Sequence, residues 1–304
     1  MSTIIDVAKE AGVSTATVSR VLNDSTKLRG TTKKNVLDAM KRLHYRPNAV
    51  ARSLVCGTNS CIGIMLPDLN MPFWAQTAHE LERAASFHGY SIMVTSSPLE
   101  CEDYIKEYRS LGRKMSNGII TSYINDTEDF IRQSLVPTVV IANADCAPSV
   151  SSDDKQGGTL AARHLIAKGC KHIIHISGEL KYHRSSNERT YAFIRECEKS
   201  GTAYKLYEAP LALQKENDYS EIVDTVFREH EDFDGIFASN DIIASVCISA
   251  ALSRGRRIPN DIKIVGYDDT NISSMIFPPL TTVRQDYKLL AETSKIRLIN
   301  AEKG

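Results

Sequence analysis

Polar side chains stand directly after several short apolar runs between residues 60 and 304, where the strands of a sheet would end. Carboxylate and amide groups at such positions can form charge-assisted hydrogen bonds with the hydroxyl groups of a small ligand, and Arg189 and Gln285 would complete the set. The flat rings of Phe73 and Trp74 can pack on a sugar ring. The candidate ligand-binding residues are Phe73, Trp74, Asn143, Arg189, Asn240, Asp241, Asp268 and Gln285.

Each of these positions also has a purely structural interpretation. Asn240 and Asp241 could simply cap the helix that follows them, and Phe73 and Trp74 could be ordinary core aromatics. Catalysis is not indicated, because the sequence lacks a G-x-S-x-G segment, a Walker loop and an H-E-x-x-H pair, and isolated histidines such as His175 are more typical of structural roles. The seven cysteines are scattered and form no C-x-x-C pair. We expect no enzyme activity, no metal site and no cofactor.

Short apolar runs alternate with longer helical stretches from residue 60 to residue 304, a pattern typical of parallel sheets covered by helices on both faces. Examples of the predicted strands are 61–66, 90–95, 118–121, 138–142, 172–177, 235–238 and 262–267. These are too many strands for one small sheet, and a boundary near 153–158 would divide them into two similar lobes. Sheets of this type bind ligands at the carboxyl ends of their strands, so the cleft between the lobes is the predicted pocket.

The first 46 residues have the pattern of a small bundle of three helices. Gly12 can take the positive φ of a tight turn that ends the first helix. Ser14 can cap a second helix at 15–22, and a third helix is expected from about 32 to 44, with one apolar face towards the core.

Residues 8–23 have the spacing A-x-x-A-G-V-S-x-x-T-V-S-R-V-L-N, which predicts a helix-turn-helix whose second helix enters the major groove of DNA. Arg20 could bind guanine O6 and N7, whereas Thr15 could contact a thymine methyl group or leave room for water. Backbone amides at the start of this helix, with Ser14 and Asn23, would hold phosphates. The alternative is a helical bundle that serves only as a protein-interaction unit.

Residues 47–59 predict a short hinge helix and linker, because Pro47 suits a helix start and Gly57 a stop. A helix of about two turns is too short to be stable alone in water, so it should form only with a partner or DNA. Leu54 could wedge between base steps in the minor groove, or it could be a linker residue without contacts. The candidate DNA-binding residues are Ser14, Thr15, Ala16, Thr17, Ser19, Arg20, Asn23, Tyr45, Asn48, Ala51, Ser53 and Leu54.

Charge is balanced over the whole chain but not along it. Lys plus Arg and Asp plus Glu are 37 each, yet residues 1–58 carry a net charge of +6 and the remainder −6. A basic head suits a polyanion because each Lys or Arg near a phosphate releases condensed counterions, although a solvated helical face is the alternative. No apolar run approaches the ~20 residues that span a bilayer, and the first residues lack a signal-peptide pattern. We expect a cytoplasmic, nucleoid-associated protein without membrane contact.

Several segments resemble the LacI/GalR repressor family. In the head they are I-D-V-A-K-E-A-G-V-S at 5–14, T-V-S-R-V-L-N at 17–23 and Y-R-P-N-A-V-A-R-S-L at 45–54. In the body they are S-N-D at 239–241, V-G-Y-D-D at 265–269 and P-P-L-T-T-V-R-Q at 278–285. Within the family, A-P-S-V-S-S-D at 147–153 and F-P-P at 277–279 resemble the ribose-operon repressor group.

The resemblance implies an all-α helix-turn-helix head at 1–46, a hinge and linker at 47–59, and an α/β body at 60–304. The body is expected to consist of two doubly wound parallel-sheet lobes of the periplasmic-binding-protein type. The resemblance also implies a homodimer with two heads on palindromic operator DNA. Paired hinge helices would lie over the operator's centre, with Leu54 as the minor-groove wedge.

The resemblance further implies ligand roles for Arg189, Asp241 and Asp268. Family members that bind ribose-like sugars usually carry Asn where this chain has Met71, and an Asp-Arg pair where it has Ala-Asn at 142–143. Because these differences remove an amide and an ion-pairing fork, hydroxyl partners are lost. A disaccharide, a modified sugar or a nucleoside therefore stands beside a simple pentose as a possible effector.

Together these expectations describe a transcriptional repressor of a carbohydrate-utilisation operon that a small sugar-like effector releases from its operator. The alternative within the family is a global catabolite-type regulator that uses a protein corepressor. An exported sugar-binding protein is disfavoured by the DNA-binding head. Family members usually continue beyond a segment like 289–300 with a further strand, so we expect either a trimmed C-terminal lobe or a truncated, less stable chain.

Overall fold

The computed structural model describes residues 2–22, 30–45, 61–96, 101–114, 117–122, 126–182 and 184–301. The chain divides into two units, Met1–Asn59, here called the head, and Ser60–Gly304, here called the body. The predicted hinge and linker, with the candidate residues Asn23, Asn48, Ala51, Ser53 and Leu54, lie outside the described residues. No helix in the described ranges is long and apolar enough to cross a membrane.

The described part of the head contains α1 (Ile4–Ala11), α2 (Thr15–Leu22) and α3 (Gly30–Arg42). Val7, Val18 and Val36, one from each helix, are fully buried in its core. Gly12 ends α1 with a φ of 65°, in the left-handed region that glycine adopts without strain, which confirms the predicted turn. The predicted end of the third helix is two residues too late, because His44 has a φ of 47° and leaves the helical region.

The body is built from strands and helices in alternation. Its described strands are β1 (Cys61–Leu66), β2 (Ser91–Ser96), β3 (Ile119–Ser122), β4 (Thr138–Ile141), β5 (Ser149–Val150), β6 (His172–Gly178), β7 (Ala203–Ala209), β8 (Gly235–Ala238), β9 (Lys263–Asp268) and β10 (Thr281–Arg284). Its described helices are α4 (Pro72–Phe87), α5 (Cys101–Lys114), α6 (Glu128–Arg132), α7 (Asp154–Ala167), α8 (Asn187–Ser200), α9 (Leu211–Glu216), α10 (Ser220–Glu229), α11 (Asp241–Ser253), α12 (Asn271–Met275) and α13 (Tyr287–Ala301).

Two parallel sheets form the centres of two lobes. The N-terminal lobe has the strand order β2-β1-β3-β4-β5, and the C-terminal lobe has the order β10-β9-β8-β6-β7. All the strand pairs are parallel, and the first strand of each sheet lies between the second and the third. This order creates a switch point at the carboxyl ends of β1 and β3, and another at those of β6 and β8, where open sheets of this class bind ligands.

The chain crosses between the lobes after β5 and again after β10. The helix α13 returns to the N-terminal lobe, where Leu290 and Leu298 pack with Ile62 and Val139 in its core. Because of this return, the N-terminal lobe is built from two separate stretches of sequence, which a single predicted boundary near 153–158 does not describe.

Three of the observed strands are not among the apolar runs given as examples above. These are β5, which has two residues, and the edge strands β7 and β10, whose residues are mostly exposed or half-buried. A continuous apolar run marks a strand that is buried on both faces, so β7 and β10 give a weaker signal, although the edge strand β2 was predicted.

Candidate ligand cavity and helix-turn-helix surface

A cavity of about 480 Å³ lies between the two lobes of the body. Its N-terminal-lobe wall includes Pro67, Asp68, Met71, Phe73, Trp74, Ser122 and Ala142. Its C-terminal-lobe wall includes Asp154, Ser177, Arg184, Arg189, Tyr219, Asn240 and Asp268, with Gln285 just after β10. Many of these residues end a strand or directly follow one, as expected for parallel sheets. The volume is that of a small-molecule site.

Arg189 is held rigidly in this cavity by a buried network. Its Nε and Nη2 donate to Asp154 Oδ1 at 2.8 and 2.6 Å, and its Nη1 donates to the Ser239 carbonyl at 2.7 Å. The guanidinium carbon lies 3.6 Å from the centroid of the Tyr267 ring. Gly158 lets α7 and α8 approach closely, because a Cβ there would be 2.0 Å from the Arg189 carbonyl oxygen. The side chain is therefore fixed before any ligand enters.

Asp268 adds a second carboxyl group to the network. It is the last residue of β9 and is buried, its Oδ1 accepts a 2.6 Å hydrogen bond from Gln285 Nε2, and the same oxygen lies 3.9 Å from Arg189 Nη1. Burial raises the pKa of Asp268 to about 7, even though Arg189 and Gln285 act to lower it. Near neutral pH this group can therefore accept or donate a hydrogen bond to a ligand hydroxyl.

The aromatic candidates Phe73 and Trp74 lie in the first turn of α4, which begins at Pro72. Their ring centroids are 4.7 Å apart, at an interplanar angle of 70°. Both line the cavity, and Trp74 also packs against the hydrophobic core of the N-terminal lobe. The pair therefore fits both interpretations, because it lines the cavity and also contributes Trp74 to the packing of the core.

Two candidates do not line the cavity among the described residues. Asp241 is buried behind it: Oδ2 accepts from the Thr270 amide at 2.7 Å and hydroxyl at 2.9 Å, and Oδ1 accepts from the Thr282 hydroxyl at 2.6 Å. The carboxylate therefore fixes the start of α12 to β10 instead of facing a ligand. Asn143 is exposed, and its backbone amide donates to Ser185 Oγ at 2.6 Å across the two lobes.

Asn240 combines the two interpretations given to it. Its Oδ1 accepts from the Ile243 amide at 2.9 Å, which makes it the N-cap of α11, and the residue also lines the cavity. Asp154 and Arg184 are cavity residues that the sequence interpretation omitted. Asp154 follows Asp153, the N-cap of α7. Its position in the first turn of a helix beside the lobe boundary could have indicated that it lines the cavity. Arg184 lies in the loop before α8 and belongs to no pattern.

The helix-turn-helix presents a polar surface opposite its core. Ser14, Thr15, Ala16 and Arg20 are exposed, and Thr17 and Ser19 are half-buried. The Thr17 amide donates to Ser14 Oγ at 3.2 Å, which confirms Ser14 as the N-cap of α2. Tyr45 differs from the other candidates, because it packs against the hydrophobic core of the head.

A helix-turn-helix in one unit and a two-lobed cavity in the other define a ligand-controlled DNA-binding regulator. Residues 3–48 match bacterial regulatory proteins of the lacI family, and residues 162–300 match the periplasmic binding protein-like domain. The chain is 35% identical over 308 residues to the ribose operon repressor of Halalkalibacterium halodurans, covering 100% of this chain and 91% of that protein. The chain belongs to the LacI family, and it is a DNA-binding repressor with an effector domain.

Two further comparisons agree with this assignment. The chain is 34% identical over 294 residues to catabolite control protein A of Priestia megaterium, covering 93% of this chain and 87% of that protein. The crystal structure of the Lac repressor dimer bound to operator and the anti-inducer ONPF superposes with a TM-score of 0.84 and 29% identity, covering 100% of this chain and 93% of that chain. The predicted fold class and family are thereby confirmed.

Proposed function

We propose that this chain represses a carbohydrate-utilisation operon from the cytoplasm, where a homodimer binds a palindromic operator and a small sugar-like effector releases it. The observation that carries the proposal is the cavity between the lobes, in which an aromatic pair accompanies the Arg189 and Asp268 network. Such a site suits a ring that carries several hydroxyl groups. Similarity to the ribose operon repressor supports a sugar-like effector. Similarity to the operator-bound Lac repressor dimer supports binding of operator DNA by a homodimer. The role is binding, not catalysis.

The proposed DNA contacts come from the exposed side of α2. Arg20 would bind a guanine edge, Thr15 and Ala16 would face base methyl groups, and the amides at the start of the helix would hold phosphates together with Ser14. The hinge, 47–59, would add the minor-groove contact through Leu54.

The proposed mechanism follows from a cavity lined by both lobes. An effector that contacts Phe73 on one lobe and Arg189 on the other changes the free energy of each arrangement of the lobes, so it shifts the population between them. In a dimer, the N-terminal lobes would rotate, and the hinge helices would separate and melt. Operator affinity then falls by the factor by which operator DNA weakens effector binding.

The experiment is operator binding by the purified full chain. A palindrome is selected from random DNA, its affinity is measured by fluorescence anisotropy at fixed salt, and pentoses, disaccharides and nucleosides are titrated in. We expect Arg20→Ala to lose specific binding and Lys106→Ala, an exposed position in the body, to retain it. Release by one compound supports the proposal. A folded protein that selects no DNA sequence contradicts it.

Similarity to catabolite control protein A supports a second candidate, a global regulator that needs a protein corepressor. In that case specific operator binding would resist every sugar and increase on addition of a phosphocarrier protein. Co-purification with such a protein would favour this candidate over direct sugar sensing.

A further inference from the structure

Arg184 is a half-buried arginine in the cavity wall, located in the loop between β6 and α8. Its Nη1 donates to the neutral amide oxygen of Gln214 at 2.8 Å, and its guanidinium carbon lies 5.3 Å from the Tyr182 ring centroid. Within the described residues no carboxylate lies within ion-pair distance of it. Arg189 in the same cavity is different, because it pairs with Asp154 at 2.6 Å.

The acidic residue whose charge acts on Arg184, Glu179, is already occupied by other partners. Glu179 Oε1 lies 2.8 Å from Lys181 Nζ, and its Oε2 accepts from the Leu211 amide at 2.8 Å. Burial lowers the pKa of Arg184, as expected for a guanidinium removed from water without a full set of partners. A partly buried charge of this kind costs free energy unless further partners complete its hydrogen bonds.

The neighbours of Arg184 orient it and add hydroxyl groups. Gln214 Nε2 donates to the Ala209 carbonyl at 2.8 Å, which turns the amide oxygen of Gln214 towards the guanidinium. Ser185 and Ser186 line the same cavity, and Ser186 makes no side-chain cap bond to α8. Their hydroxyl groups are suited to the remaining oxygens of a bound anion.

The carboxylates of the described cavity wall are held by other groups. Asp154 and Asp268 belong to the Arg189 network, and Asp68 accepts from the Asn70 amide at 2.8 Å and from Asn217 Nδ2 at 3.3 Å. Asp154 and Asp268 pair with Arg189, whereas Arg184 has no carboxylate within ion-pair distance among the described residues.

We infer that the effector carries an oxyanion, either a phosphate ester or a carboxylate, and that Arg184 binds it while the Arg189 network binds its hydroxyl groups. The inference rests on the proposed function, since it names the chemical class of the sugar-like effector. A sugar phosphate and a sugar acid present the same oxyanion to a guanidinium fork. Arg184 is then the residue that selects a charged effector over its uncharged parent.

The test is isothermal titration calorimetry on the full chain and its variants. The probes are ribose 5-phosphate, glucose 6-phosphate, gluconate and glucuronate, with ribose and glucose as uncharged parents. We expect at least one anionic probe to bind more tightly than its parent, and Arg184→Gln to weaken that binding by about 10-fold to 100-fold, as for a lost charge-assisted contact. Arg184→Lys should retain part of the affinity. The phosphate and carboxylate arms identify the source of the oxyanion.

Arg195→Gln is the matched control. Arg195 is exposed on α8, so this substitution removes the same positive charge at a position outside the cavity. It should bind the anionic probe as the wild-type protein does, and circular dichroism should show that every variant is folded. The inference is overturned if no anionic probe binds wild type more tightly than Arg184→Gln. If an uncharged sugar then still releases the operator, the proposed function stands, whereas a folded protein that binds no operator contradicts the proposed function itself.

Discussion

Replacing Arg189 with Met tests the buried network of the cavity. Met keeps the unbranched apolar stem but has no guanidinium group and no charge, so the change leaves Asp154 and Asp268, each less than 10% exposed, without their partner. Removing one partner of a buried ion pair costs about 3–5 kcal/mol, because the remaining charge is uncompensated. We expect the free energy of unfolding of the body to fall by up to this amount at pH 8. Without Arg189 the pKa of Asp268 rises further, so protonation of this carboxyl group offsets part of the cost.

Urea denaturation followed by tryptophan fluorescence measures this loss in the body alone, because Trp74 is the single tryptophan of the chain. Arg163→Met is the matched control: Arg163 makes a two-pronged pair with Glu196 at 2.7 and 3.1 Å, but its side chain is 59% exposed. An exposed pair of this kind contributes little to stability, because water screens both charges.

A rescue separates lost charge compensation from lost packing. Adding Asp154→Asn to Arg189→Met removes one of the uncompensated carboxylates, so part of the lost stability should return. If Arg189→Met costs no more than Arg163→Met, or if the second change gives no recovery, the buried network does not have the energetic role derived from its geometry.

Three further changes test other parts of the structure. The pKa of Asp268 is raised from its usual 3.8 to about 7, so the folded state binds more protons than the unfolded state between these pH values. The free energy of unfolding therefore falls as pH rises through that window, by up to about 1.4 kcal/mol per pH unit. Asp268→Asn should remove this slope from urea denaturation curves at pH 5 to 8. Ser14→Ala removes the N-cap of α2 and should destabilise the head by about 0.5–2 kcal/mol in thermal melts followed by circular dichroism, and an unchanged melt would refute the cap. Gly158→Ala places a Cβ 2.0 Å from the Arg189 carbonyl oxygen and should lower the free energy of unfolding, measured by urea denaturation, by about 3 kcal/mol or more. The control Gly112→Ala should lower it less, because its Cβ would meet only side-chain atoms. Equal losses of stability would contradict the close approach of α7 to α8.

The head was predictable because its signals are local. Gly12 and Ser14 act on the backbone within a few residues, so the turn and the cap of α2 could be inferred from spacing alone. The end of α3 was less accessible, since the left-handed φ of His44 has no clear marker in the residue type.

The lobes were partly predictable for a different reason. Strands that are buried on both faces are visible in the sequence as apolar runs, and the polar residues after them mark the carboxyl edge of a sheet. Asp268 and Asn240 were placed at this edge by that pattern, and both line the cavity. The edge strand β7 and the return of α13 to the N-terminal lobe depend on contacts between distant segments, which periodicity does not encode.

The individual site residues were the hardest to predict. Asp241 is turned away from the cavity by Thr270 and Thr282, whose positions depend on the folded chain. Arg184 is a cavity residue because of a loop conformation and its bond to Gln214, and nothing in the spacing of the sequence indicates either.

Reciprocal affinities measure whether the cavity and the DNA-binding head are coupled. The compound that binds the body most tightly, identified by its effect on Trp74 fluorescence, is titrated with and without operator DNA, and the operator is titrated with and without that compound at one salt concentration. We expect both affinities to change by the same factor. A compound that binds in the cavity and leaves operator affinity unchanged would contradict this coupling.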